Sequence, residues 1–246
     1  MYLILLILVM LWFVINALFE VLRKGKKPLE SPLTEKERMK YYRKTCIVIW
    51  SQALVVIILC LFVGIRFYDI GLRGISLNQN IWFTSVTLIL CGIYSIAHIY
   101  EMAASLASPK YRKEQKKKLA KRHSNDAVGN MLPRSKKERR YWSFVALTAG
   151  VGEEIVCRGF LIFLLQAVFP NMPILFILAA ASAVFGIAHA YQGVKGIRNT
   201  AIVGALHGCL FLVTGSLILP MLMHFIVDIS SVFTLAEDTE VSQHDT

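Results

Sequence analysis

The chain has 246 residues, of which 56% are hydrophobic and only 17% are charged. Soluble domains carry roughly a quarter charged residues, so this composition excludes an ordinary soluble domain. The formal net charge is +11, and its distribution along the chain therefore needs an explanation.

The apolar residues fall in blocks of about 20, the length that crosses roughly 30 Å of hydrocarbon. We predict an all-α fold, a polytopic transmembrane helical bundle with about seven membrane-spanning helices. The predicted spans are 1–22, 45–65, 81–102, 142–168, 172–190, 199–214 and 217–235. The first block lacks a basic leading region and an A-x-A cleavage pattern, so we expect a retained anchor and not a signal peptide.

Most of the positive charge lies in two hydrophilic stretches. Arg23 to Lys44 holds nine lysines and arginines and Lys110 to Arg140 holds thirteen, together 22 of the 27 in the chain. Such stretches face the cytoplasm, so seven crossings place the N-terminus outside and the C-terminus inside. Basic runs can also bind nucleic acid, but attraction to anionic lipid headgroups is the better interpretation, and we expect no nucleic-acid partner.

The fourth block contains the sequence GEEIVCRGF, with three charged side chains in an apolar setting. Each charge at a helix centre costs about 2.5–3.5 kcal/mol on insertion scales, so such residues are usually functional. Glu154 and Arg158 are four residues apart and can pair on one helix face, whereas Glu153 lies roughly 100° further round. A free carboxylate beside such a pair suits a general base acting on water. The structural alternative is an ion pair that fixes helix register.

Two later blocks place further polar groups at a spacing of four residues. FGIAHA puts Phe185 and His189 on one face, and MHFIVDI puts His224 and Asp228 on one face. At 1.5 Å per residue from the predicted inner ends, Glu154 lies about 18 Å deep, His224 about 16 Å and His189 about 9 Å. We therefore expect one water-filled cavity, open to the cytosol, that these faces share.

A third histidine, His207, lies between two glycines in the sixth block. Gly204 and Gly208 have the G-x-x-x-G spacing that lets helices approach closely. We interpret His207 as a packing or hydrogen-bonding residue outside the site.

The three motifs resemble those of a known family. EEIVCR, FGIAH and HFIVD are similar, in this order, to the E-E-x-x-x-R, F-x-x-x-H and H-x-x-x-[N/D] motifs of the CPBP family. These are intramembrane endopeptidases related to CAAX prenyl proteases and to bacteriocin-processing and self-immunity proteins. The resemblance covers about Ser143 to Val232, and it implies a helical bundle with a glutamate-dependent mechanism.

The resemblance also implies roles for the first four site residues. Glu153 would be the activating base, with His189 beside it on the attacking water. Glu154 and Arg158 would orient and stabilise that pair. No cofactor and no metal is implied.

The remaining implied roles concern the substrate. His224 and Asp228 would bind the scissile carbonyl and its developing oxyanion, and Phe185 would shape the wall of the pocket. The prenyl-protein endopeptidases have Asn where this chain has Asp228. A carboxyl group can donate a hydrogen bond only when it is protonated, so Asp228 has a second possible role in orienting His224.

The resulting hypothesis divides the chain into three parts. Residues 1–140 hold N-terminal transmembrane helices with two basic cytoplasmic loops, 141–236 form a CPBP-like catalytic core, and 237–246 form an acidic tail. We expect a multi-pass protein of a bacterial plasma membrane that acts on a membrane-associated protein or peptide, of prenylated or leader type.

Two other classes of function stay open at this stage. One is a zinc metalloprotease using His189, His224 and a carboxylate, since catalytic zinc commonly takes three protein ligands and a water. Against it, the sequence has no H-E-x-x-H pattern. The other is a non-catalytic immunity or scaffold protein, or a proton-coupled transporter, although the paired broken helices typical of transporters are not evident.

Overall fold

The structure is a computed structural model that describes residues 33–122 and 127–234. Within these ranges every regular element is a helix, which confirms the all-α prediction. The predicted first span, 1–22, and the acidic tail, 237–246, lie outside the described residues.

Nine α-helices, one π-helix and one 3-10 helix make up the described part of the chain. They are α1 (Glu35–Val63), α2 (Ile81–Ala107), α3 (Pro109–Arg122), α4 (Ala127–Met131), α5 (Lys136–Glu154), the π-helix (Ile155–Phe160), α6 (Leu161–Val168), α7 (Ile174–Ala188), the 3-10 helix (Ala190–Gln192), α8 (Gly193–Thr214) and α9 (Ile218–Thr234). Each of the six predicted spans after the first overlaps one or more of these helices.

Two of the long helices begin at capping boxes. In α1 the Thr34 hydroxyl accepts from the Glu37 amide at 3.3 Å, and the Glu37 carboxylate accepts from the Thr34 amide at 2.8 Å. In α5 Ser135 and Glu138 make the same pair of bonds at 3.2 and 2.8 Å. These reciprocal bonds satisfy amides that a helix start leaves free, so both helices begin in polar sequence ahead of their apolar blocks.

The second basic stretch, a hydrophilic connection between two predicted spans, is largely helical. It contains all of α3 and α4 and the first turn of α5. The Ser108 hydroxyl accepts from the Tyr111 amide at 3.2 Å at the start of α3. Lys, Arg, Gln and Glu are good helix formers, so this connection forms helices of its own.

Helix α5 is packed on two sides. Helices α1 and α9 both contact it, α9 also packs on α2 and α8, and α8 packs on α7. The approach of α9 depends on Gly150, where a Cβ atom would lie 3.1 Å from both the Met221 carbonyl oxygen and the Phe225 amide nitrogen. The helices that carry the polar motifs are therefore close neighbours.

A membrane location fits the lengths and surfaces of the helices. Within the described ranges, three helical segments are long and apolar enough to cross a membrane: Glu35–Val63, Ile81–Ala107 and Ala190–Thr214. Large apolar side chains project outward from α2, such as Trp82 (81% exposed) and Ile93 (62% exposed). An extended apolar surface of this kind marks contact with lipid or another protein, and the chain is a helical integral membrane protein.

The connections show which helix ends lie together. The Ser76 amide, in the loop before α2, donates to the Thr214 carbonyl at the end of α8 at 2.8 Å. At the opposite end of α1, the Tyr42 hydroxyl donates to the Met131 carbonyl of α4 at 2.6 Å. The loop before α2 therefore lies beside the end of α8, and α4 lies beside the first turns of α1. The orientation of these helices in the membrane stays a prediction.

A buried ion pair joins the polar first turns of α1 and α5. Arg38 Nε donates to Glu138 Oε1 at 2.6 Å, and both side chains are buried. Burial by itself raises the pKa of the Glu138 carboxyl, but hydrogen bonds from Arg38, Ser135 and Arg134 outweigh it and hold that pKa below its usual value. The pair lies ahead of the apolar block that begins at Trp142, so it fixes the polar ends of the two helices relative to each other.

Candidate active site

The adjacent carboxylates lie where α5 passes into the π-helix. Glu154 is the last residue of α5, and Ile155–Phe160 then follows the wider π-helical turn. Such turns are rare and occur frequently at functional sites. Across this turn Arg158 Nη1 donates to Glu154 Oε1 at 3.0 Å, and both side chains are almost completely buried. The structure thus has the Glu154–Arg158 pair that the spacing predicts.

Arg158 is enclosed by two further helices. Its guanidinium carbon lies 4.0 Å from the centre of the Phe185 ring on α7, a cation–π arrangement. Its Nη2 donates to the Gly204 carbonyl on α8 at 3.4 Å. A Cβ atom at Gly204 would lie 3.3 Å from that nitrogen and 3.1 Å from Phe185 Cδ1. The glycine of the G-x-x-x-G pattern therefore makes room for the arginine as well as for α7.

Glu154 also binds two histidines through the same oxygen. His207 Nδ1 on α8 lies 2.9 Å from Glu154 Oε1, and His224 Nδ1 on α9 lies 2.7 Å from it. An ionised carboxylate accepts hydrogen bonds and donates none, so both Nδ1 atoms carry the proton. We call Glu154, Arg158, His207 and His224 the Glu154 cluster.

Glu153 faces His189, at the end of α7. The His189 amide donates to the Gly186 carbonyl at 3.0 Å. The Phe185 carbonyl is therefore free to form a hydrogen bond with the imidazole Nδ1 of His189, at 2.9 Å. A carbonyl only accepts, so Nδ1 is the protonated nitrogen, and Nε2 of the neutral ring is an acceptor. This Nε2 lies 3.9 Å from Glu153 Oε2, too far for a direct hydrogen bond but within the span that one water molecule bridges.

His224 and Asp228 form the pair on α9 that their spacing predicts. His224 Nε2 lies 3.6 Å from Asp228 Oδ2. Because His224 Nδ1 is bonded to Glu154, only Nε2 is free to face another group. With a proton on either His224 Nε2 or Asp228 Oδ2, the pair has one hydrogen to donate.

The site has an open part and a sealed part. Side chains in the open part are partly exposed: Glu153 by 22%, His189 by 16% and Asp228 by 36%. Glu154 and His207, by contrast, are 0% and 1% exposed. Water can therefore reach part of each of the first three side chains, although the Glu153 Oε2 atom is buried and has no hydrogen-bond partner among the described residues. Glu154, Arg158 and His207 lie behind them.

The structure brings together all seven side chains proposed from the sequence. The centre of the Phe185 ring lies 4.7 Å from that of the His189 ring and 6.2 Å from that of the His224 ring. His207, which we placed outside the site, also belongs to it. The signal was present, because residues 204, 207 and 208 share one face of α8 and the flanking glycines mark that face as closely packed.

The Glu154 cluster contains three possible metal ligands. Ligand atoms of Glu154, His207 and His224 all lie within 4.8 Å of one another. Atoms about 2.0–2.1 Å from a tetrahedral zinc ion lie roughly 3.3 Å apart, whereas the N···O separations here are 2.7 and 2.9 Å. The positive Arg158 group on the same oxygen also opposes a cation. As placed, these side chains form a hydrogen-bonded cluster.

The fold is that of a helical integral membrane protein. Its candidate site gathers ionisable side chains inside the helix bundle. Residues 138–230 match the protein family described as Type II CAAX prenyl endopeptidase Rce1-like. This range contains the motifs at 153–158, 185–189 and 224–228, so the match covers the same segment as the resemblance seen in the sequence and supports it. Comparisons with curated proteins and with solved structures each found no match.

Proposed function

We propose that the protein is an intramembrane endopeptidase in which Glu153 activates a water molecule to hydrolyse a peptide bond. The proposal rests above all on one observation, the facing of Glu153 Oε2 and His189 Nε2 at 3.9 Å. A water between them can donate one hydrogen to each acceptor. Its lone pairs then point away from both residues and toward a substrate.

The chemical steps follow from these positions. Glu153 removes a proton from the water as its oxygen attacks the carbonyl carbon of the scissile bond. The carbonyl oxygen becomes an oxyanion, which accepts the hydrogen shared by His224 and Asp228. Glu153 then delivers its proton to the amide nitrogen as the C–N bond breaks, giving a new carboxylic acid and a free amine. General base catalysis of this kind contributes about 10²–10⁴-fold.

The sealed part of the site supports the open part. Glu154 is fully buried and holds His224 through Nδ1 at 2.7 Å, so Nε2 of that ring is the atom left to face the substrate. Arg158 neutralises Glu154 and joins it to α8 through the Gly204 carbonyl. Donors fixed in this way before the reaction stabilise a developing oxyanion without further rearrangement.

The substrate in this proposal is a membrane-associated protein or peptide cut near the cytosolic surface. Type II CAAX prenyl endopeptidase is the description of the matching family, and a prenylated C-terminal peptide is the substrate class that this description supports. The two basic stretches support a site that faces the cytoplasm. The N-terminus outside, the C-terminus inside and a bacterial plasma membrane belong to the same proposal.

Comparative proteomics of membrane fractions tests the proposal in cells. Cells producing the Glu153→Ala protein are expected to accumulate uncut substrates that disappear when the wild-type protein is produced. Glu114→Ala, an exposed change on α3, is the matched control at equal expression. Identical substrate patterns for wild type and Glu153→Ala would contradict an endopeptidase and favour a scaffold.

A further inference from the structure

His207 lies outside the three motifs, and the mechanism above gives it no step. It is 1% exposed and lies on α8 three residues after Gly204. Residues three apart share a helix face. The Gly204 carbonyl binds Arg158, and the His207 ring binds Glu154. One face of α8 therefore holds both members of the buried ion pair.

The second ring nitrogen of His207 faces no partner in the described part of the chain. With Nδ1 donating to Glu154, Nε2 of the neutral ring is an acceptor. It is buried, and among the described residues it has no hydrogen-bond partner. Buried polar atoms are nearly always paired. A leucine or phenylalanine would satisfy packing here without that cost, so simple packing does not account for the histidine.

His207 also contacts His224 directly. The two ring centres are 5.2 Å apart with an angle of 71° between the planes, an edge-to-face arrangement. The His224 ring is thus confined by His207 on one side and by the Glu154 hydrogen bond on another. The ring could otherwise rotate and exchange Nδ1 for Nε2.

We propose that His207 is a positioning residue that fixes Glu154 Oε1 and the His224 ring, so that His224 Nε2 stays turned toward Asp228 and the substrate. This inference rests on the proposed function, because it assigns His224 Nε2 to the scissile carbonyl. The positioning itself is a property of the resting protein and can be measured without a substrate.

Three substitutions separate hydrogen bonding from packing. The side-chain amide of Asn places its NH₂ group close to the position of the imidazole Nδ1, whereas that of Gln reaches the position of Nε2. His207→Asn therefore keeps the donor to Glu154, His207→Gln misplaces it, and His207→Leu removes it. A residue needed only for packing would tolerate Leu and Gln better than the smaller Asn.

Nuclear magnetic resonance of histidine-labelled protein tests the positioning. The Nδ1 proton of His224, assigned by its absence in His224→Gln, is expected to exchange slowly with water in the wild type and in His207→Asn. In His207→Leu and His207→Gln we expect its exchange to be at least about 10-fold faster, or the signal to be lost. Slow exchange in all four proteins, or equal behaviour of Asn and Gln, would overturn the proposal.

Kinetics separate this inference from the proposed function. The probe is an internally quenched peptide ending in a farnesylated cysteine and three further residues. His207→Leu is expected to lower kcat by about 10- to 100-fold with KM nearly unchanged, since small displacements of reacting groups cost up to about 10²-fold. His207→Asn is expected to stay within about threefold of wild type.

Two other results have separate meanings. If Glu153→Gln cleaves the probe as fast as wild type, the proposed function is wrong, while the proton exchange still decides the role of His207. If the purified protein contains one zinc ion per chain that His207→Leu loses, the cluster is a metal site and the positioning proposal is overturned.

Discussion

The buried pair of Glu154 and Arg158 gives a sharp test of the site's energetics. Glu154→Leu removes three hydrogen bonds to one oxygen and leaves the Arg158 charge, 3% exposed, without its carboxylate. Breaking a buried ion pair by removing one partner costs about 3–5 kcal/mol. We expect the free energy of unfolding to fall by about this amount.

The double variant Glu154→Leu/Arg158→Met is expected to be more stable than Glu154→Leu alone. Replacing both members of a buried pair with apolar groups removes the uncompensated charge and is often nearly neutral. We expect it to recover at least about 2 kcal/mol of the loss, because the unpaired charge accounts for much of the cost.

Unfolding by SDS in mixed micelles measures these differences. Asp69→Asn is the control, since Asp69 pairs with the largely exposed Arg66 in a loop and its loss is expected to leave the unfolding midpoint unchanged. A loss of less than about 1 kcal/mol of unfolding free energy in Glu154→Leu would contradict a buried ion pair of this strength. So would a loss in the double variant equal to the sum of the losses in Glu154→Leu and Arg158→Met.

Three further predictions concern separate features of the molecule. Gly204→Ala is expected to cost about 1–3 kcal/mol of stability, because its Cβ would lie 3.1 Å from a ring carbon of α7, whereas Gly92→Ala, with nothing within 4 Å, is expected to cost little. Asp228→Asn is expected to keep cleavage of the farnesylated probe within about 10-fold, because an amide can donate to an oxyanion. Asp228→Leu is expected to lose about 10²-fold or more, as when an oxyanion donor is removed. Because hydrogen bonds hold the folded-state pKa of Glu138 below its usual value, its contribution to stability is complete above about pH 4.3, the ordinary pKa of Glu. That contribution is lost as the pH falls through the lower folded-state pKa. Glu138→Gln should therefore flatten the acid limb of unfolding free energy against pH, and an unchanged limb would contradict the role given to the Arg38 pair.

Spacing along one helix predicted the local part of the site well. Residues four apart share a helix face, so the pairing of Glu154 with Arg158 and of His224 with Asp228 follows from the sequence alone. The lengths of the apolar blocks likewise predicted where helices lie in the described part of the chain. Each of six predicted spans overlaps one helix or a run of consecutive helices.

Contacts between helices could not be predicted in the same way. The 3.9 Å separation of Glu153 and His189 depends on how α5 and α7 cross, and no local periodicity specifies a crossing. The π-helix was missed because its i+5 bonding leaves no distinct sequence pattern. His207 was interpreted as a packing or hydrogen-bonding residue, and only the contact between helices shows that its hydrogen bond is to Glu154 in the site.

Cleavage by purified protein in lipid vesicles tests the central claim most directly. The rate on the farnesylated probe should be unaffected by a zinc chelator for the wild type, and should fall at least about 10²-fold in Glu153→Gln, with the unfolding midpoint unchanged. Wild-type cleavage by folded Glu153→Gln, or loss of wild-type activity to the chelator with recovery on adding zinc, would contradict water activation by Glu153.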